Sequence, residues 1–253
     1  MEFKDHFSGH ATDYASARPT YPRELFQWLA DQSRQHGLAC DVGCGNGQAS
    51  LALAQWFDQV HASDASAAQV AAAPEHPRVT WHVESAERCS LQTHTADLVT
   101  AAQCYHWFDQ ERFCLEALRV LKPGGLCALW CYGRSRVDPD VDTVFDVLYD
   151  DRLGAYWPPE RRHVEDGYRH LPFPFEAVGD IPRFRMRQPW TQAQYLAYLR
   201  SWSASQRYLA ETGRDAVTEL ELRFAEAWGD PGSVREVSWP LSIRAGRAPP
   251  ADL

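Results

Sequence analysis

Lysine is almost missing from this chain: only Lys4 and Lys122 occur in 253 residues, and arginine supplies the rest of the 25 cations. A GC-rich coding bias accounts for that preference, although arginine is also the better fork for carboxylates. Cations are outnumbered by 34 acids, giving a formal charge of -9 and a pI near 5.5. A chain that coats nucleic acid or lies on an anionic membrane needs clustered cations, so neither partner is expected. The seven cysteines include no C-x-x-C pair and come with no His-rich ligand spacing. That excludes a disulfide framework and a structural zinc signature, and leads to reduced buried thiols and no metal. The longest apolar run, around Leu126 to Cys131, is far too short to span a bilayer, and the start MEFKDHFSGH lacks the apolar core of a signal peptide. A soluble, cytoplasmic protein is the expectation, and no feature of the sequence sets an oligomeric state.

What the chain does have is 45% hydrophobic residues, enough for a sizeable core, and a pattern that changes character once. Between residues 38 and 131, short apolar segments alternate with helical ones, the mark of a parallel sheet covered by helices. Strands are expected at Leu38 to Val42, Val60 to Ser63, Val79 to Val83, Leu98 to Ala102 and Leu126 to Cys131. Helices are expected at Gln48 to Phe57, Ser66 to Ala73 and Asp109 to Leu121, the last ended by Pro123-Gly124-Gly125. Beyond residue 133 the alternation stops. Asp138-Pro139 opens a helix with Val141, Val144, Phe145, Leu148 and Tyr149 on one face. Thr191 and Gln194 form a capping box for a helix carrying Tyr195, Tyr198, Leu199 and Trp202, and a further helix runs from about Asp215 to Trp228. Val237, Trp239, Leu241 and Ile243 alternate as a half-buried strand expected to pair near Phe184 and Met186, with Pro240 requiring a bulge or an unpaired position.

The first strand runs into Asp41-Val42-Gly43-Cys44-Gly45-Asn46-Gly47, followed at once by a helix, where an open α/β sheet binds a nucleotide-like ligand. The spacing decides which ligand. Gln48 and Ser50 stand where a dinucleotide fingerprint needs its third glycine, and no Gly-Lys-Ser/Thr follows for a P-loop. A nicotinamide dehydrogenase is therefore disfavoured. Alternating glycines let the backbone approach a bulky ligand, and an acid at the loop's start attracts a cation where it would repel a pyrophosphate.

This D-x-G-x-G-x-G loop resembles motif I of the class I S-adenosylmethionine-dependent methyltransferases. Two more segments agree in order and spacing: Asp64 at the end of the second strand, and Arg119-Val120-Leu121-Lys122-Pro123-Gly124-Gly125 before the fifth. The resemblance implies that Asp41, Gly43, Cys44, Gly45, Gly47, Asp64, Ala65 and Gln103 hold the cofactor. Asp64 would take both ribose hydroxyls on its two carboxylate oxygens. At the adenine edge the chain departs from the family, reading Glu84-Ser85-Ala86-Glu87 where many members have Gly-Asp-Ala. Ser85, Ala86 and Glu87 are carried over, with the adenine contact either weakened, since Ser85 accepts only through its hydroxyl, or shifted toward Glu87.

The segments Tyr14, Arg18-Pro19, Tyr21-Pro22, His106-Trp107-Phe108-Asp109, Leu171 to Phe175 and Ser201-Trp202-Ser203 are similar to the trans-aconitate methyltransferase-like group of the methyltransferase type 11 family. That implies a Rossmann-like, seven-stranded, mostly parallel sheet with an antiparallel last strand, forming one domain with a helical and aromatic substrate cap. The core covers about 35-132 and 176-245, and the cap comes from 1-34 and about 133-230. Tyr14 and Arg18 have the family placement for the methionine carboxylate. The activity implied is O-methylation of a small organic acid, with His106, Trp107, Trp130, Tyr132, Arg134 and Trp157 toward the acceptor. No Asn/Asp-Pro-Pro-Tyr/Phe follows the fourth strand, which argues against a DNA amino-methyltransferase, and Cys104 lacks the proline that a C5-attacking cysteine needs. A carboxylate is ionised at pH 7 and requires no base. Two alternatives stand beside it: a phenol or amine acceptor with His106 as general base, and a non-catalytic S-adenosylmethionine-binding protein.

Overall fold

A computed structural model describes residues 19-250 of the chain. Seven strands follow one another across the sheet: β3 (Val79–Val83), β2 (Gln59–Asp64), β1 (Leu38–Val42), β4 (Ala96–Ala102), β5 (Leu121–Tyr132), β8 (Arg235–Arg247) and β6 (Glu176–Ala177). The first five are parallel, and β8 runs antiparallel to β5, the mixed Rossmann-like sheet expected from the sequence. An eighth strand, β7 (Arg185–Trp190), pairs with the first half of β8 and puts Met186 opposite Trp239. Pro240 stands where β8 changes partner, paired with Arg185 on one side and preceding Leu241, which faces Tyr132 of β5. A residue without an N–H is tolerated at that handover.

Parallel sheets are buried on both faces, and this one has an apolar cluster on each. Cys40, Val42, Val99, Ala101, Cys127 and Leu129 pack under α4 (Gln110–Val120), which Asp109 caps by accepting from the Arg112 N–H at 3.2 Å. Ala39, Val60, Ala62, Leu98 and Ala128 face α1 (Arg23–Gln32) and α2 (Gln48–Leu53). The small helix α3 (Ala67–Ala72) starts where expected, and the Ser66 side chain caps it by accepting from the Gln69 N–H. Three boundaries differ most from expectation. The helix expected from about Asp215 begins at Glu221, after a tight turn at Thr218–Leu220. The helix from Gln48 gives way to turns after Leu53. β5 begins at Leu121 instead of Leu126, because Pro123-Gly124-Gly125 forms an irregularity inside the strand, between the Ala96–Leu121 and Leu98–Leu126 pairs.

A third cluster joins the later helices to the β7–β8 ribbon. It is built from α5 (Pro139–Asp146), a π turn at Val147–Arg152, α7 (Gln192–Arg200), α8 (Ser203–Thr212) and α9 (Glu221–Trp228). A short helix, α6 (Arg161–Glu165), lies between them and the sheet and buries Val164 with the α4 side. The expected apolar face of the Asp138 helix is buried, with Leu148 and Tyr149 held in the π turn. Aromatic rings pack here both edge to face and stacked: Phe145 lies on Tyr149 at 5.7 Å and 20°, while Trp239 crosses Tyr198 at 5.3 Å and 82°, and its indole N–H donates to the Tyr198 hydroxyl at 3.1 Å. No helix among the described residues is long and apolar enough to cross a membrane.

Asp138 ties this cluster together. Its carboxylate accepts from the Asp140 and Val141 amides at the start of α5 and pairs with Arg235, which also donates to the Trp228 carbonyl at the end of α9. Loss of an N-cap costs roughly 0.5–2 kcal/mol, so Asp138→Ala should lower the urea midpoint by an amount worth about 1–2 kcal/mol, and Asp138→Asn should recover most of the cap. Equal loss in the two variants would locate the stabilisation in the Arg235 pair instead.

Candidate functional site

The strand order reverses between β1 and β4, and a crevice must open beyond their carboxyl ends. A cleft of about 1030 Å³ lies there, lined by the ends of β1 through β5. Asp41 stands at its base, fully buried on β1. Ser50 of α2 donates to its Oδ2 at 2.6 Å and Thr100 of β4 donates to its Oδ1 at 2.8 Å. Burial pushes its carboxyl up to about 6, against the two hydroxyl hydrogen bonds that pull it down.

The loop after Asp41 can only be glycine-rich. Gly43, Gly45 and Gly47 have φ of 68°, 54° and 90°. A Cβ on Gly43 would lie 2.7 Å from Cys104 Sγ, and one on Gly47 would lie 2.2 Å from the Trp81 ring. Asp64 then locks this loop to the next one. Its Oδ2 accepts from the Gly45 N–H at 2.9 Å and its Oδ1 from the Ser66 N–H at 2.8 Å. Each oxygen keeps a second acceptor position for a ligand hydroxyl.

Beyond β3, the Glu84 N–H donates to the Asp64 carbonyl, and Ser85 bridges to Arg88. Ser85, Ala86 and Glu87 all line the cleft, and Glu87 Oε1 accepts from the Asp109 N–H at 3.0 Å. Gln103 has a φ of 60°, a left-handed backbone for a non-glycine residue. Its amide is consumed by Tyr132: Nε2 donates to the carbonyl at 3.1 Å, and Oε1 accepts from the N–H at 2.8 Å. Gln103 thus closes the gap between the ends of β4 and β5 at the cleft wall. Cys104 lines the cleft as a half-buried residue whose thiol donates to the Val42 carbonyl, and desolvation holds it far above the usual thiol range.

Of the residues selected from sequence, Asp41, Gly43, Cys44, Gly45, Asp64, Ala65, Ser85, Ala86, Glu87, Gln103, Trp107 and Tyr132 line one cleft. Gly47 stands just behind the lining, against Trp81. Tyr14 and Arg18 lie outside the described residues. The other four are placed elsewhere. His106 is buried with Nδ1 2.9 Å from the Tyr168 hydroxyl, and burial, helped by the charges of Arg161 and His163, pushes it down to about 3. Trp130 is fully buried, its ring crossed edge-on by Tyr21 and Phe26. Arg134 forks onto Asp150 with both bonds at 2.7 Å, reaches Asp146, and lies 4.1 Å from the Tyr149 ring centroid. Trp157 packs on Tyr149 and donates to its carbonyl at 3.1 Å. Arg136 and Arg152, two further arginines close in sequence to the end of β5, pair with Asp146 and Glu219.

Sequence reasoning missed Tyr21, Gln48, Glu84, Arg88, Phe108 and Glu160 in the lining. Tyr21 carries a visible signal, an aromatic beside proline just before the first helix. Glu160 has none, because the cap brings it from a distant stretch of chain. The lining holds seven acids, Asp41, Asp64, Glu84, Glu87, Asp109, Glu116 and Glu160, against the cations Arg88, Arg112 and Arg119. Arg119 is itself forked onto Glu116 at 2.6 and 2.8 Å. The cleft therefore favours a ligand with a positive charge and vicinal hydroxyls.

Comparison with known proteins agrees. A methyltransferase-domain family model matches residues 40–129. A solved structure from Anaeromyxobacter dehalogenans, assigned as a type II methyltransferase, superposes with a TM-score of 0.88 at 47% identity, over 92% of this chain and 99% of that one. A protein of Dictyostelium discoideum assigned to the methyltransferases is 29% identical over 235 residues, 90% of this chain and 88% of that protein. Methyltransferase cfoB of Aspergillus candidus is 31% identical over 200 residues, 68% of this chain and 62% of that protein. The chain belongs to the methyltransferase family.

The raised carboxyl of Asp41 makes stability depend on pH. A folded-state value above the unfolded one contributes stability that is present below about pH 4 and lost as pH rises through about 6, on the order of 3 kcal/mol in full. Asp41→Asn should unfold at higher urea than wild type at pH 8 and lose that advantage at pH 4, in the absence of ligand. The same difference at both pH values would rule out this charge as its source.

Proposed function

We propose that this methyltransferase works with S-adenosylmethionine and methylates an oxygen of a small, carboxylate-bearing acceptor, as the trans-aconitate methyltransferase-like group does. The observation that carries the reading is the pairing of two carboxylates on one wall, Asp41 buried and short of positive charge, and Asp64 anchored by two amides with acceptor positions to spare. When bound, S-adenosylmethionine supplies a methyl carbon made electrophilic by its sulfonium.

The chain's own residues are suited to hold such a molecule. Asp41 and the acidic lining favour the cation. Gly43 and Gly45 let the backbone approach closely, with Cys44 and Ala65 filling the wall between them. Asp64 accepts from two vicinal ribose hydroxyls, the match of two oxygens to two donors. Ser85, Ala86 and Glu87 form the adenine edge, and the Asp109 amide orients Glu87. Tyr14 and Arg18 are retained for the methionine carboxylate on the family resemblance alone. Gln103 is a positioning residue, since its amide is spent on Tyr132.

A carboxylate acceptor fits the rest of the cleft because it asks for no base. His106, the histidine nearest this end of β4, faces Tyr168 under a buried layer and not the cleft. Tyr21 and Tyr132 line the cleft instead, and burial holds the Tyr21 phenol well above its usual range, so it stays protonated and able to donate to an anionic oxygen. Arg134, tied to Asp150, Trp130, buried in the core, and Trp157, half-buried against Tyr149, support the walls that carry these phenols. With the acceptor already ionised, the protein's contribution is positioning and exclusion of water.

Calorimetry with S-adenosylhomocysteine should give one site per chain, and Asp64→Ala should weaken it about 100-fold, the loss of two hydrogen bonds to a charged group. No heat with the wild type, or an unchanged constant in Asp64→Ala, would sink the cofactor assignment. For the acceptor, kcat at saturating cofactor should be flat from pH 6.5 to 9 and keep that shape in His106→Ala. A rising limb that disappears in His106→Ala or Glu160→Gln would move the reading to a phenol or amine acceptor.

A further inference from the structure

Behind the adenine edge of the cleft, three side chains from separate segments converge on one point. His61 Nε2 on β2 lies 3.0 Å from Glu84 Oε2 at the end of β3 and 3.5 Å from Cys89 Sγ on the following loop. All three ligand atoms lie within 4.8 Å of one another, with His61 buried and the others half-buried. The sheet register sets this up. Cys40 of β1 is paired with His61 of β2, so both rise from the face covered by α4, and the strand end of β3 delivers Glu84 beside them. The loop bearing Cys89 is fixed from both sides: its N–H donates to Glu116 Oε1 at 2.7 Å, and Arg119 donates to its carbonyl at 3.1 Å. His82 stacks on the His61 ring at 3.9 Å and 15°, which holds the imidazole plane.

One ring nitrogen carries at most one proton, yet here it faces a carboxylate oxygen and a sulfur together. The lone pairs of three different groups meet where a cation fits. We propose that His61, Glu84 and Cys89 bind a soft divalent cation of the zinc class. A nitrogen, an oxygen and a thiolate are the donor types of a four-coordinate zinc site with one position left open, and thiolate disfavours magnesium or calcium. The Cys89 sulfur is already placed as an acceptor, since the Leu91 N–H donates to it at 3.5 Å. This departs from the expectation of no metal, which rested on linear spacing; the ligands here are 23 and 28 residues from His61 and are brought together only by the parallel sheet. Because Glu84 also lines the cleft, the cation would fix the 84–88 loop that forms its adenine edge.

The test is a titration of the full, metal-free chain with Co²⁺, followed by Zn²⁺ competition. One equivalent of Co²⁺ should produce a thiolate-to-cobalt charge-transfer band, and Zn²⁺ should abolish it. Cys89→Ser should lose the band, and His61→Asn should weaken binding at least 100-fold, both with circular dichroism unchanged. A His6→Ala/His10→Ala variant should titrate as wild type. Where the variants fail to fold, X-ray absorption of the zinc-loaded wild type decides: one sulfur among the scatterers is expected. Absence of a stoichiometric band, a band that persists in folded Cys89→Ser, or a zinc shell without sulfur overturns the site. None of these readouts involves S-adenosylmethionine, so their failure leaves the methyltransferase reading untouched.

Discussion

A carboxylate kept from water at the centre of the sheet is the constraint around which the cleft is arranged. Asp41 takes hydrogen bonds from Ser50 on α2 and Thr100 on β4, so one side chain joins the helix after β1 to the strand on the far side of the reversal. The pairing does not remove the penalty, since its carboxyl is still pushed up to about 6. A fold seeking stability alone would place an apolar residue there. The glycine loop and Asp64 extend the same compromise outward: three left-handed glycines give up chain entropy to bring amides and acids to one surface. Local strain, a raised carboxyl and a large concave surface coincide at one edge of the sheet, where binding sites concentrate such costs.

The aromatic cluster beyond β5 carries the opposite character. Its side chains are satisfied by one another: Trp239 by Tyr198, Trp157 by the Tyr149 carbonyl, Arg134 by Asp150 and the Tyr149 ring. A surface spent on its own contacts has little left for a ligand, so only Glu160 from these segments reaches the cleft lining. The cap acts on the site through the walls it supports. Its ties to the sheet, through β7 on β8 and through Asp138 with Arg235, are where that support is transmitted.

How much of this was legible follows from the range of the interactions involved. The sheet, the cap residues Ser66, Asp109, Asp138 and Thr191, and the two carboxylates are set by neighbours within a few residues, and periodicity and capping patterns expose them. Pro123-Gly124-Gly125 reads as a turn on local grounds but lies inside β5, because pairing with β4 on either side outweighs the break. Arg134 and Trp157 have residue types suited to an acceptor pocket, yet their partners Asp150, Tyr149 and Trp202 are fixed by tertiary packing that spacing does not encode. The convergence of His61, Glu84 and Cys89 is hidden for the same reason: a parallel crossover joins residues that no linear motif links.

The placement of His106 bears most directly on the chemistry. A histidine at the end of β4 invites the role of general base, and a base must have both a reachable proton and a conjugate acid the site can tolerate. His106 meets neither condition. It faces Tyr168 within a buried layer, and burial, with the Arg161 charge beside it, opposes its protonation. The acidic lining that would stabilise an imidazolium lies on the other side of the wall. Methyl transfer on the proposed reading brings a cationic donor to an anionic oxygen, and charge disappears as the bond forms, so a dry cleft with the Tyr21 phenol held protonated is the better arrangement. The acids of the lining then have a division of labour. On the proposed reading those at the ends of β1 and β2 meet the cofactor's positive charge, whereas an anionic acceptor is best received beside Tyr21 and Tyr132, whose phenols line the same cleft.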